Sequence, residues 1–176
     1  EYEWYTADVT RTWPVNGRFS ASQTKLYNAV LKALEASISV SVVGNQFMDV
    51  HRTAVRSLTE SLVALGFLDG DIDTLIEEEK YKKWFMHGTS HWLGLDVHDV
   101  GAYAKSGNSI LLEPGMVFTI EPGLYVAEDD ESAPEEFRGM GIRIEDDILI
   151  SEDGPINLTE AVPKTIAEIE KLMGEG

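Results

Sequence analysis

Leu26, Val30, Leu34 and Ile38 recur at four-residue spacing, and after a short break Val50, Ala54, Leu58, Leu62 and Leu65 repeat the pattern. Two apolar stripes of that period demand two helices, each laying one face on a shared core. Ser20 with Gln23 resembles a capping box, so the first helix is predicted from about Ser22 to about Val42, and Gly66 sits where a cap would end the second. A shorter helix is predicted near Asp71 to Glu79.

The flanking sequence has another texture. Tyr2 to Val15, rich in aromatic, Thr and Val residues, predicts two short strands or a hairpin closed by Asn16-Gly17. Beyond Tyr81, Glu113-Pro114-Gly115-Met116 signals a turn before a strand over Val117 to Ile120. A further strand is predicted from Gly141 to Ile150, an acidic loop over Ala127 to Glu136, and a last helix from Thr165 to Met173 with Ile166, Ile169 and Met173 inward. Helices set between antiparallel blocks make the class α+β.

Composition narrows the chemistry. At 176 residues the chain suits one domain or a large piece of one, and a net charge of -17 repels phosphate backbones and anionic lipid head groups. Nucleic acid and membrane surfaces are excluded as expected partners. There is no cysteine, so any bound metal must use oxygen and imidazole ligands, and a reducing cytoplasm is the expected location. No apolar stretch approaches the roughly 20 residues needed to span a bilayer. The chain opens without Met or a signal peptide, straight into a strand-like pattern, and reads as a fragment.

Three of the four histidines, His87, His91 and His98, fall within twelve positions among glycines, whereas His51 stands alone on the second helix and reads as a packed residue. In the later strand Ile142, Ile144, Ile148 and Ile150 share one face, while Gly141, Arg143, Glu145 and Asp147 share the other. Glu121 closes an apolar strand just before Pro122-Gly123, where a carboxylate is costly unless paired or metal-bound. A salt bridge to Arg143 is the ordinary alternative, and Asp8, between Ala7 and Val9, poses the same question. Together Asp8, His91, Glu121 and Glu145 form an oxygen-rich set with one nitrogen donor, which favours Mn²⁺ and can hold Co²⁺, Fe²⁺ or Zn²⁺. Bridging carboxylates let two such ions sit about 3.5 to 4 Å apart and share a hydroxide able to attack an amide carbonyl.

Four blocks carry a resemblance. Asp8-Val9-Thr10-Arg11-Thr12-Trp13-Pro14-Val15, the segment from His87 to Gly101, the segment from Glu113 to Tyr125, and Gly141-Ile142-Arg143-Ile144-Glu145-Asp146-Asp147 resemble, in order, the signature blocks of the aminopeptidase P and prolidase family. The run from Ser90 to Asp99 is closer to the bacterial aminopeptidase P branch. The resemblance implies a pita-bread fold, hydrolysis of the Xaa-Pro bond at the amino terminus of peptides, two Mn²⁺ ions in the complete enzyme, and a homo-oligomer. It implies bridging carboxylates at Asp8 and Glu145, an imidazole ligand at His91, and at Glu121 a ligand that is also the general base. His98 matches a histidine that contacts substrate at the scissile bond, His87 lines the proline pocket, and Tyr125 and Arg143 support the metal site and its hydrogen-bond network.

The family's fifth ligand, an Asp in an Asp-Ala-Gly segment upstream of the pair matched by Glu1-Tyr2, is expected to lie outside this chain, with the first half of the catalytic domain and the amino-terminal domain. One metal site is therefore expected in the chain alone, which should be inactive by itself. A prolidase-type Xaa-Pro dipeptidase and a non-peptidase pita-bread binding protein are the competing readings, and retention of the ligand set argues against the latter.

Overall fold

The computed structural model describes residues 2–174. Both long helices form as their stripes require. Helix α1 spans Ala21–Ser39, with the Ser20 side chain accepting from Gln23 N–H and the Gln23 side chain returning the bond. It stops three residues short of the predicted end, where Val40, Val42 and Val43 enter a turn. Helix α2 spans Phe47–Ala64 and ends at Gly66, whose φ of 82° is left-handed and favours glycine. Asp71 caps the short α3, Ile72–Glu77. Leu26, Val30 and Leu34 on α1 meet Val50, Leu58 and Leu62 on α2 in one core that extends to Phe118, Ile120 and Ile148 on the strands.

The strands are β1 (Ala104–Lys105), β2 (Asn108–Ser109), β3 (Val117–Ile120), β4 (Gly123–Tyr125), β5 (Gly141–Arg143), β6 (Asp146–Ser151) and β7 (Gly154–Asn157). One sheet has the order β3-β6-β7, a second pairs β4 with β5, and β1 with β2 is a separate short hairpin. The strand predicted over Gly141 to Ile150 is thus two strands in two sheets, and β4 follows the bend at Pro122. Register is unchanged across the break: Ile120 faces Asp146 before it and Gly123 faces Arg143 after it. Glu121 and Glu145 therefore stand opposite each other at the joint, where Pro122 brings no N–H to continue the ladder.

Two predicted features of the termini differ. Tyr2 to Val15 is not a hairpin. Its backbone bonds outward, Thr6 N–H to Gly94 and Glu145 N–H to Thr10, and only a short bridge of Tyr2 with Tyr5 is internal. Asn16-Gly17 still turns, with Gly17 N–H on Pro14, but the turn leads into α1. Helix α4 covers Ile166–Gly174 and buries Ile169, whereas Met173 remains 39% exposed. Glu1, of the pair Glu1-Tyr2, lies outside the described residues. Among the described residues no helix is long and apolar enough to cross a membrane.

Candidate metal centre

The joint between the two sheets leaves the N–H groups of Glu121 and Glu145 without ladder partners, and an outside segment supplies each. Glu121 N–H bonds to Thr89 O at 2.7 Å, and Glu145 N–H to Thr10 O at 3.0 Å. Each of these segments carries a second candidate ligand two residues away, on the same side of an extended chain. His91 follows Thr89 and Asp8 precedes Thr10, so local pairing brings four dispersed residues to one point.

Ligand atoms of Asp8, His91 and Glu145 all lie within 4.8 Å of one another. Glu121 is outside that trio but adjacent to it: His91 Nε2 is 3.6 Å from Asp8 Oδ2 and 3.6 Å from Glu121 Oε1. The ring is oriented by Nδ1, 3.0 Å from Trp92 O. A carbonyl only accepts, so Nδ1 carries a proton, and Nε2 is the nitrogen that faces the carboxylates.

The electrostatics call for a cation. Burial first, then repulsion from Glu145, pushes the Glu121 carboxyl up to about 7, against the opposing pull of His91. Burial and the Asp8 charge likewise raise Glu145, although its bond with Thr10 works the other way. Asp147, raised to about 6 mainly by burial, accepts the Asp8 N–H at 3.1 Å through Oδ2, while its buried Oδ1 has no partner. Like charges directly across a ladder destabilise it, and a buried carboxylate without a counter-ion is costly. A divalent ion among these oxygens and one imidazole relieves both, and the donor set fits such an ion.

The remaining predicted residues surround this point. His98 is brought back by the loop from Gly94 to Asp99, which closes through Asp99 N–H on Trp92 O and Leu95 N–H on Asp99 Oδ2. A Cβ on Gly94 would meet Asp99 Oδ2 at 1.9 Å, so a side chain there would displace the carboxylate that holds Leu95 N–H. The exposed His98 ring stands edge-on to His91 with centroids 4.3 Å apart. His87 gives its Nδ1–H to Gly88 O at 2.7 Å, and its Nε2 shares a hydrogen bond with Tyr125 Oη at 2.8 Å. Arg143 donates from Nε to Thr10 Oγ1 at 3.3 Å, bonds the Tyr125 hydroxyl, and through its charge opposes the rise of Glu121 and Glu145. A cleft of about 840 Å³ touches this region through Tyr125 and Gly141 and continues past Met86, Asp129 and Met140.

Three supports were not marked as such by the sequence. Thr10 and Thr89 look like ordinary strand residues, and the solitary His51 looks like packing. His51 Nδ1 is in fact 2.8 Å from Thr89 Oγ1, tying α2 to the segment that carries His91. Burial, then the His87 charge, holds His51 below the usual histidine range.

Comparison with known proteins places these residues in a wider setting. The model of metallopeptidase family M24 matches residues 1–152. The Xaa-Pro aminopeptidases of Escherichia coli and Haemophilus influenzae are 53% and 51% identical over 173 residues, 98% of this chain. The chain spans about 40% of the length of these relatives. Pseudomonas aeruginosa aminopeptidase PepP superposes with a TM-score of 0.97 at 47% identity, over 99% of this chain and 40% of that one. Zinc-substituted Escherichia coli aminopeptidase P in complex with product superposes at 0.94 and 52% identity, over 99% and 39%. The pita-bread fold expected from the signature blocks is thereby borne out.

Proposed function

This chain belongs to metallopeptidase family M24, and we propose that it carries the metal-ligating part of an Xaa-Pro aminopeptidase site, with Asp8, His91, Glu121 and Glu145 as ligands. The observation that carries the proposal is the placement of Glu121 opposite Glu145 at a sheet joint, with Asp8 and His91 delivered by the segments that satisfy their backbones. Mn²⁺ is the preferred ion, with Co²⁺, Zn²⁺ or Fe²⁺ as substitutes, because three carboxylates outnumber one imidazole. When bound, such ions supply a Lewis acid for the scissile carbonyl and a nucleophile at neutral pH.

The chain's own residues have distinct tasks. Glu121, partly buried and 3.6 Å from His91 Nε2, accepts a proton from the attacking water and passes it to the proline nitrogen as the C–N bond breaks. His98, exposed and edge-on to His91, donates a hydrogen bond to the carbonyl oxygen as charge develops there. The His87–Tyr125 pair forms one wall of the proline pocket, and its mutual hydrogen bond keeps both rings in place. Arg143 supports the metal carboxylates, as developed below.

Residues 1–176 are, in this reading, the C-terminal portion of the catalytic domain, and further polypeptide completes it. The 40% share of the relatives' length supports this, as do the exposed aromatic and aliphatic side chains of Tyr2, Trp4, Trp13 and Val15. The full protein is read as a cytoplasmic homo-oligomer acting on peptides with proline second; the absence of cysteine supports the compartment.

The test is a manganese-supplemented assay on an Xaa-Pro-peptide, with this chain alone and with the polypeptide that completes the domain in its relatives. Turnover is expected only in the second case, with one Mn²⁺ site measurable in the chain alone. A preference for Xaa-Pro dipeptides over longer peptides would replace the proposal by a prolidase. Retained metal in His91→Ala would remove the ligand assignment.

A further inference from the structure

Thr10 makes two different bonds to one residue. Its carbonyl accepts the Glu145 N–H at 3.0 Å, and its hydroxyl oxygen lies 2.5 Å from Glu145 Oε2. The same hydroxyl oxygen is 3.3 Å from Arg143 Nε. Nothing in the sequence marks Thr10 beyond its place between Asp8 and Arg11, and the tasks assigned above leave it unused.

The direction of the chain of bonds is forced by donor count. A guanidinium has donors only and a hydroxyl has a single proton. The Arg143 Nε–H therefore occupies a lone pair of Thr10 Oγ1, and the one hydroxyl proton points to Glu145 Oε2. A glutamate's terminal torsion is broad and roughly two-fold, so an unrestrained carboxylate offers its oxygens in no fixed direction. The hydroxyl proton fixes that torsion, while the backbone bond from the same residue fixes the main chain beneath it. Asp8 lies two residues earlier on the same segment, so both candidate bridging carboxylates are referred to one short stretch of backbone.

We infer that Thr10 is a positioning residue for the metal centre, relaying a hydrogen bond from Arg143 to Glu145. The inference rests on the reading of Asp8, His91 and Glu145 as metal ligands, and it adds a hydrogen-bonded route through Thr10 to the charge that Arg143 already exerts on Glu145. A side chain that orients a metal ligand from behind is typically worth about 10- to 100-fold in metal affinity.

The experiment is a Mn²⁺ titration of the metal-stripped protein in four variants, Thr10→Val, Thr10→Ser, Arg143→Ala and the double variant Thr10→Val/Arg143→Ala, with metal-free melting temperatures alongside. Valine keeps the shape and removes the hydroxyl; serine keeps the hydroxyl. Thr10→Val is expected to weaken Mn²⁺ binding by about 10- to 100-fold, and Thr10→Ser to stay within about twofold of the parent. Arg143→Ala is expected to weaken binding alone and to add a smaller loss on Thr10→Val than it causes in the parent. Metal affinity in Thr10→Val equal to the parent, while Glu145→Ala loses metal, overturns the relay and leaves the ligand assignment standing. Losses that multiply in the double variant also overturn it, since Arg143 then acts independently of Thr10. If Thr10→Val lowers the metal-free melting temperature, Thr10→Ser decides: a stable serine variant with weakened metal binding rejects the role of the hydroxyl. Unchanged binding in both His91→Ala and Glu145→Ala removes the metal reading itself, and the relay with it.

Discussion

Glu145 and Asp146 are neighbours in sequence and both buried, 2% and 0% exposed, yet their surroundings treat the negative charge in opposite ways. Asp146 accepts from Arg11 Nη2 at 2.7 Å, Lys164 Nζ at 2.8 Å, Asn157 Nδ2 at 2.7 Å and Thr159 Oγ1 at 2.8 Å. Burial alone would raise its carboxyl, but Lys164, Arg11 and Asn157 bring it below the usual carboxylate range. Glu145 shares its side of the chain with Asp8, Glu121 and Asp147 and is raised. The protein has set two cations directly on Asp146, whereas on the other side of the chain the clustered carboxylates share one imidazole and the more distant Arg143. A buried charge cluster closed by internal partners holds the fold together, whereas one short of cations is a site for an external ion.

The largest effect should come from breaking the closed side. Asp146→Ala leaves the buried Arg11 without its counter-charge and Lys164 with only the exposed Glu160, at a cost of about 3–5 kcal/mol. Denaturant midpoints of the metal-free protein check this, and a loss below about 1 kcal/mol would show that the network is dispensable. Next is the open side. Mn²⁺ at a hundredfold excess over its dissociation constant should stabilise the protein by about 2.7 kcal/mol. Glu145→Ala and His91→Ala should abolish that gain, whereas His98→Ala should keep it and instead lower kcat in the complete enzyme by about 10²- to 10⁴-fold. Equal metal loss in His91→Ala and His98→Ala would reverse their roles.

Acidity gives a subtler contrast. Glu121, near 7, and Asp147, near 6, bind protons more tightly in the folded metal-free protein than in the unfolded chain. Their contribution to stability is complete below about pH 4, the ordinary carboxylate value, and is lost as pH rises through 6 and 7. Asp146 runs the other way, contributing above the ordinary carboxylate value and losing that contribution as pH falls through its lowered one. The metal-free melting temperature should therefore rise on acidification from pH 8 to 5 and fall at lower pH. Saturating Mn²⁺ should flatten the upper limb, because the ion takes the place of the protons. A metal-free profile that is flat from pH 5 to 8 would contradict the assignment of an uncompensated cluster.

The smallest effect concerns the clamp behind the open side. Thr89→Val removes the bond to His51 and should cost about 1 kcal/mol of stability, read as a small drop in melting temperature. A shift in metal affinity larger than the shift in stability would extend the clamp's influence to His91.

How much of this was legible beforehand varies with the kind of signal. The two helices and the strand Val117–Ile120 were readable because their apolar periods repeat over several residues. The continuous strand from Gly141 to Ile150 was a misreading with a clear cause. Its isoleucines do alternate inward, but Glu145, Asp146 and Asp147 are all buried in succession, which alternation alone cannot express. The chain changes sheets there, and Asp146, which strict alternation would put on the isoleucine face, finds Arg11 and Lys164 instead of an apolar neighbour. Thr10, Thr89 and His51 were illegible for another reason: each is a single polar residue whose partner lies 38 or 135 positions away.

The sequence by itself determined the two-helix core, the α+β class, the restriction to oxygen and imidazole ligands and, through its ordered signature blocks, the family. These follow from local repetition and residue chemistry, which every stretch of the chain carries with it. Only the tertiary structure decided that Glu121 and Glu145 meet across a broken ladder, that the segments repairing the break bring Asp8 and His91, and that Thr10 stands between Arg143 and Glu145. Those arrangements depend on which distant backbone satisfies an N–H left unpaired at a joint, and no local pattern encodes that choice.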